Sequence, residues 1–207
     1  MRGIDYKHLQ ELLQGARLVG ATEAAIVAAK DIVVEDELAE RCRLPRCENY
    51  GLSMSCPPHV GGPAAMRKQL EACEQALFFR IDVPSAMLYS SESREIFQLL
   101  HEIAAGIERA AVRLGFDQAK AFAGDSCKRI FCFDQPECQA LAAPGKCRHP
   151  QSARPSMSGF GINVERLLQS VGWDIGIGDR SMSGESEKNT FVCGLVLLKH
   201  LQQNEQE

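Results

Sequence analysis

Residues 127–163, CKRIFCFDQPECQALAAPGKCRHPQSARPSMSGFGIN, place Cys127, Cys132, Cys138 and Cys147 within 21 residues. Gly, Pro, Asp and Ser recur between them, so the segment reads as loop. A second cluster stands upstream in residues 41–59, RCRLPRCENYGLSMSCPPH, with Cys42, Cys47 and Cys56. Seven of the nine cysteines therefore fall in two short windows, bounded as the loops 42–62 and 124–162. Thiols distributed for packing do not bunch in this way, whereas thiolates gathered as ligands do. The rest of the chain then reads as a framework that presents these two loops.

That framework alternates helices with strands. Residues 5–18 are expected to form a helix with Asp5 as its cap and Leu9, Leu12, Leu13 and Ala16 along one stripe. A short buried strand is expected over 24–29, extended by Ile32-Val33-Val34, and a helical turn over 35–41. Pro63 opens a helix that runs to about Glu74. QALFFRIDV (75–83) reads as a strand ending at Pro84. The strongest helical pattern is 93–114, where Ile96, Leu100, Ile103, Ile107, Ala111 and Leu114 repeat at spacings of three and four. Strands are expected at 116–123, 173–177 and 190–198, a helix at 163–171, and a polar loop at 178–189. No internal repeat is present. The pattern predicts a single domain over 1–207, an α/β (or α+β) sandwich with two cysteine-rich metal-binding loops.

Composition narrows the function. The chain has 207 residues, 45% hydrophobic and 24% charged, which suffices for a core that needs no staples. A net charge of −4 argues against phosphate-driven nucleic-acid binding. The basic pairs Arg67-Lys68 and Lys128-Arg129 read as solvated surface. No apolar run approaches the roughly 20 residues of a membrane span. The N-terminal MRGIDYKHLQELLQG lacks the apolar stretch of a secretory signal. The expected compartment is the cytoplasm, where thiols stay reduced and clustered cysteines serve metals or redox chemistry rather than disulfides.

The spacings are C-x4-C-x8-C-P upstream and C-x4-C-x5-C-x8-C downstream. Irregular spacings in loop let several thiolates converge on one centre, as iron–sulfur clusters require, commonly four per cluster. Zinc is the rival, but its usual C-x2-C knuckle is missing from both windows. The upstream window offers only three cysteines. Its fourth ligand is His59, a cysteine crossing over from the other window, or no protein group at all, and these three readings stay open. Cys73 and Cys193 read as packed thiols. His149 is a candidate for hydrogen bonding around a cluster or for offsetting thiolate charge, together with Asp125, Ser126, Arg154, Ser156 and Ser158. No phosphate-binding glycine loop is present.

CRLPRCENYGLSMSCPPH followed by GDSCKRIFCFDQPECQALAAPGKCRHPQSARPSMSGFGINV resembles a family of predicted metal-binding proteins, domain of unknown function 2284. The pairing of C-x4-C-x2-YG-x4-CPPH with C-R-H-P-x3-RPSMSGFG carries the resemblance. It implies metal binding, which in that family is itself inferred from the cysteines. Three functions follow. The first is one or two [4Fe–4S] clusters in an electron-transfer protein with a redox partner protein. The second is a reductase-type enzyme with an open-site cluster. The third is a zinc-stabilised binding module without redox activity.

Overall fold

The computed structural model describes residues 6–174 and 189–199. In chain order the elements are α1 (Tyr6–Leu18), β1 (Glu23–Ala28), α2 (Asp36–Glu40), α3 (Gly62–Glu71), β2 (Gln75–Pro84), α4 (Ser85–Leu88), α5 (Ser93–Arg113), β3 (Lys120–Phe122), α6 (Cys127–Phe131), α7 (Gln139–Ala142), α8 (Val164–Ser170) and β4 (Asn189–Leu198). The four strands form one antiparallel sheet in the order β1-β2-β4-β3. The fold is therefore α+β.

The sheet is apolar on both faces, and its two-residue period sorts the side chains into two cores. Leu77, Phe79 and Ile81 of β2, with Val192 and Val196 of β4, meet the stripes of α1 and α5. Ala76 and Phe78, with Cys193, Leu195 and Leu197, face the other way onto Met66 of α3, Leu167 and Leu168 of α8, and Phe160. Leu77, Phe78 and Phe79 are all fully buried, and each contributes about 1.5–3 kcal/mol from apolar burial. Continuous burial along β2 explains why it reads as an unbroken apolar run rather than an alternating one.

α5 follows its sequence pattern closely: Ile96, Leu100, Ile103, Ile107 and Ala111 are buried, and Gly115 ends the helix at a φ of 94°. Other expectations shift. Ile32-Val33-Val34 does not extend β1: a 3-10 turn at Ala29–Asp31 intervenes, and Val34 instead bridges Ile162 across the fold. Only Lys120–Phe122 of the expected 116–123 strand joins the sheet. Phe116 is spent on a turn, with Ala119 N–H donating to its carbonyl at 2.8 Å. Trp173 lies outside the strands and stacks on Phe78, with ring centroids 5.2 Å apart. The cap at Asp5, the rest of the 173–177 strand and the loop at 178–188 lie outside the described residues. Among those residues no helix is long and apolar enough to cross a membrane.

Both cysteine windows sit at one end of this framework. The segment RPSMSGFG ties them together. Ala123 N–H donates to Pro155 O at 3.0 Å and Met157 N–H to Ala123 O at 2.9 Å, which joins the segment to the end of β3. Ser156 N–H then donates to Ser55 O at 2.9 Å, reaching the upstream window. The glycines allow the approach. A Cβ on Gly159 would stand 2.8 Å from Val60 Cγ2 and 2.9 Å from Pro57 Cδ. One on Gly161, whose φ is 72°, would meet Glu35 O at 2.3 Å.

Candidate metal centres

The downstream window begins where β3 ends. Asp125 takes a left-handed φ of 64°, which turns the chain into α6. Its carboxylate accepts from Ser126 N–H at 2.7 Å and pairs with the Arg129 guanidinium. Lys128 reaches forward instead, and its ammonium donates to Cys132 O at 2.7 Å and Gln135 O at 2.5 Å. The Lys128-Arg129 pair is thus part of the loop's construction and not a solvated surface pair. Cys138 precedes α7 and its carbonyl accepts from Leu141 N–H at 3.0 Å. Arg148 donates to Glu137 O at 3.1 Å, drawing the Cys147 end of the loop towards Cys138.

Cys127, Cys132, Cys138 and Cys147 all line one cavity of about 20 Å³. Lys128, Arg148, Phe131 and His149 also line it, with Gln139, Ala140 and Ala153. His149 stacks on Phe131 at 5.3 Å, and its backbone N–H donates to Cys147 Sγ at 3.4 Å. Burial raises the Cys132 thiol, opposed by Arg148 and reinforced by Cys147 and Cys138. Burial likewise pushes Cys127 up to about 11, against hydrogen bonds from Ser55 and Ser53.

Two groups on α5, one buried and one half-buried and neither marked out by the sequence reading, anchor this loop. His101 is fully buried. Its Nε2–H donates to Gly124 O at 3.0 Å, just before the window, and its Nδ1 accepts from Arg154 N–H at 3.1 Å, just after it. This is the neutral ring, and burial holds its pKa down at about 4. Glu108 pairs with the Arg154 guanidinium at 2.7 Å and accepts from Ala121 N–H at 2.6 Å. A histidine on a helix face buried against the sheet was the available signal, because such a ring needs polar partners.

The upstream window is a run of turns. Cys47 N–H donates to Cys42 O at 3.0 Å, Tyr50 N–H to Cys47 O at 3.0 Å, and Gly51 N–H to Pro57 O at 2.8 Å. Cys42, Cys47 and Cys56 line a cavity of about 610 Å³. Burial raises the Cys42 thiol, and the neighbouring Cys47 and Cys56 add to it. His59 is exposed, does not line this cavity, and contacts Gly51 O through Nε2 at 3.3 Å.

Serine hydroxyls separate the two windows. Ser53 Oγ lies 2.9 Å from Ser55 Oγ and 3.4 Å from Ser126 Oγ. Ser55 Oγ lies 3.7 Å from Cys56 Sγ and accepts from Cys127 N–H at 3.3 Å. The windows are therefore adjacent walls of one assembly. Cys73 and Cys193 stand apart from both. The Cys73 thiol donates to Gln75 O at 2.9 Å, and burial within β4 pushes Cys193 up to about 12.

All nine cysteines are free thiols. Among the described residues no three His, Cys, Asp or Glu groups are closed around a single ion point. The donor set nonetheless fits a thiolate-ligated group. Four cysteines line one small space, with two cations beside them and a backbone N–H on one sulfur, the residue types that stabilise anionic clusters.

Residues 25–198 match the model of a family described as "Predicted metal-binding protein (DUF2284)". No curated protein and no solved structure matches the chain. The chain belongs to this family of predicted metal-binding proteins.

Proposed function

We propose that this family member is a redox protein in which each cysteine window holds an iron–sulfur cluster, [4Fe–4S], and that it exchanges electrons with a partner protein. The observation that carries this reading is the separate cavity beside each window, one lined by four cysteines and one by three. Cys127, Cys132, Cys138 and Cys147 would hold the downstream cluster, and Cys42, Cys47 and Cys56 the upstream one. A bound cluster supplies reversible one-electron chemistry. The chain's own residues set its surroundings. Lys128 and Arg148 offset thiolate charge, the His149 N–H stabilises the Cys147 thiolate, and Phe131 with the His149 ring restricts water. Such hydrogen bonds and charges tune cluster potential.

Electron transfer between the two centres would have a short route, since Ser55 contacts both Cys56 and Cys127. Zinc would use the same thiolates and stabilise the loops without redox chemistry. Anaerobic purification with measurement of iron, acid-labile sulfide, zinc and the visible spectrum separates the two. Iron with sulfide and a brown chromophore that bleaches on reduction is the expected result. Zinc without sulfide would overturn the redox reading.

A further inference from the structure

The four-stranded sheet has two edges, and only one of them is blunted. β3 is three residues long and opens on the exposed Lys120, two devices that discourage a further strand from adding. β1 at the other edge runs to six residues, and its sequence EAAIVA holds no proline, lysine or glycine.

The register fixes which backbone groups of β1 face outward. Ala29 N–H donates to Glu74 O at 2.9 Å, and the ladder continues with Val27 opposite Ala76, Ala25 opposite Phe78 and Glu23 opposite Arg80. Alternate residues of an antiparallel pair exchange both hydrogen bonds, so these four face β2. Ala24, Ile26 and Ala28 therefore direct their N–H and C=O groups away from the sheet. Arg17 Nη2 donates to Ala24 O at 3.3 Å, as an outward carbonyl allows, and leaves its second lone pair free. Among the described residues the N–H groups of Ala24, Ile26 and Ala28 and the carbonyl of Ile26 have no partner.

We propose that β1 pairs antiparallel with β1 of a second copy about a twofold axis at Ile26, so that one sheet runs through a homodimer. This goes beyond the redox reading and is independent of what the cysteine windows hold.

Three features select a second copy as the occupant. The outward groups are spaced symmetrically about Ile26, so the twofold sets Ile26 against Ile26 and Ala24 against Ala28, and each outward N–H meets a carbonyl. Each end of β1 also carries one charge of each sign: Arg17 and Glu23, 3.8 Å apart, at its start, and the exposed Lys30 and Asp31 past its end. Reversing the strand sets these ends against each other with opposite charges available to match. Exposed apolar residues flank both ends as well, Leu18 at 87% and Val19 at 52% before β1 and Val33 at 38% after it. The twofold brings them together and takes them out of water.

The test weighs the full chain by sedimentation equilibrium, kept reduced so that its nine free thiols do not cross-link. Twice the chain mass of 22.8 kDa is expected at about 100 μM, falling towards 22.8 kDa on dilution. Ala28→Pro isolates the edge. Ala28 already has a φ of −71°, which proline adopts, and the N–H that is lost points outward. The variant should keep the native circular dichroism and weaken association by at least about tenfold. Ile26→Lys, which puts a charge at the twofold, should do the same. Amide exchange followed by NMR locates the contact: the Ile26 N–H should exchange at least about tenfold more slowly in the dimer than Ile26 does in monomeric Ala28→Pro. The proposal is overturned if the chain is monomeric at the higher concentration, or if both folded variants dimerise as the unaltered chain does. It is overturned too if the dimer leaves the Ile26 N–H exchanging as fast as in the monomeric variant, which would put the interface on another surface.

Discussion

The two cysteine windows lie side by side but are held by different physics. The downstream loop is pinned by polar groups of α5. His101 and Glu108, on one face of α5, grip the backbone and the guanidinium on either side of it. The upstream loop is pinned by close packing, with Gly159 against Pro57 and Val60 and Gly161 against the Glu35 carbonyl. Four thiols meet a tight space in the first, and three border a roomy one in the second. A loop anchored by satisfied polar groups can be enclosed, because its interior contacts are directional and complete. One anchored by backbone contact at its rim leaves its concave side free.

The comparison breaks most visibly in metal content. Cys138→Ala is expected to remove the metal of one centre and Cys42→Ala that of the other, each about half the bound iron by elemental analysis. If either change takes all the iron while circular dichroism stays native, the windows form one centre and the contrast fails.

Next in size is the half-buried ion pair of Glu108 with Arg154. Its loss also leaves Ala121 N–H without its acceptor, so Glu108→Ala should lower the unfolding free energy in urea by about 1.5–3 kcal/mol. It should also loosen metal held downstream more than upstream. Equal loss from both windows would show that α5 does not discriminate between them.

The His101 ring sharpens the same point through pH. Its pKa is depressed to about 4 from 6.5, so the unfolded chain takes up a proton before the folded one does. Its contribution is complete above pH 6.5 and is lost as pH falls towards 4, by roughly 3 kcal/mol in all. Thermal unfolding across that range checks this, and His101→Gln should flatten the slope.

Gly161→Ala places a Cβ against the Glu35 carbonyl at a left-handed φ, a strain of about 1–3 kcal/mol. Unlike the Glu108 change, it should weaken upstream metal first. The smallest expected effect is that of His59→Ala, which should leave metal content unchanged. A loss of upstream iron there would make His59 the fourth ligand and remove the open position.

Much of the framework was legible before any coordinates. The stripe from Ile96 to Ala111 and the apolar run of β2 report burial directly, since a helix or strand with one or two faces in the core must repeat at 3.6 or 2 residues. The strand expected at 116–123 shrank because Phe116 found burial through a turn, which an apolar pattern does not distinguish from a strand. Lys128 and Arg129 were misread as surface because charge in a sequence carries no record of the backbone carbonyls and carboxylates that satisfy it. His101 and Glu108 went unnoticed for the same reason. Their partners, Gly124, Ala121 and Arg154, are distant in sequence and meet them only across the fold.

By itself the sequence determined that seven thiols lie in two short windows, that the chain belongs with predicted metal-binding proteins, and that helices and strands form the scaffold. These are matters of residue type and spacing along one dimension. The downstream window, read as loop, carries the short helices α6 and α7. Only the tertiary structure decided that the four downstream thiols share one small cavity, that the three upstream ones border a large one, and that serines join the two. Distances between segments depend on how the sheet and α5 bring the loops together, and no local pattern encodes that.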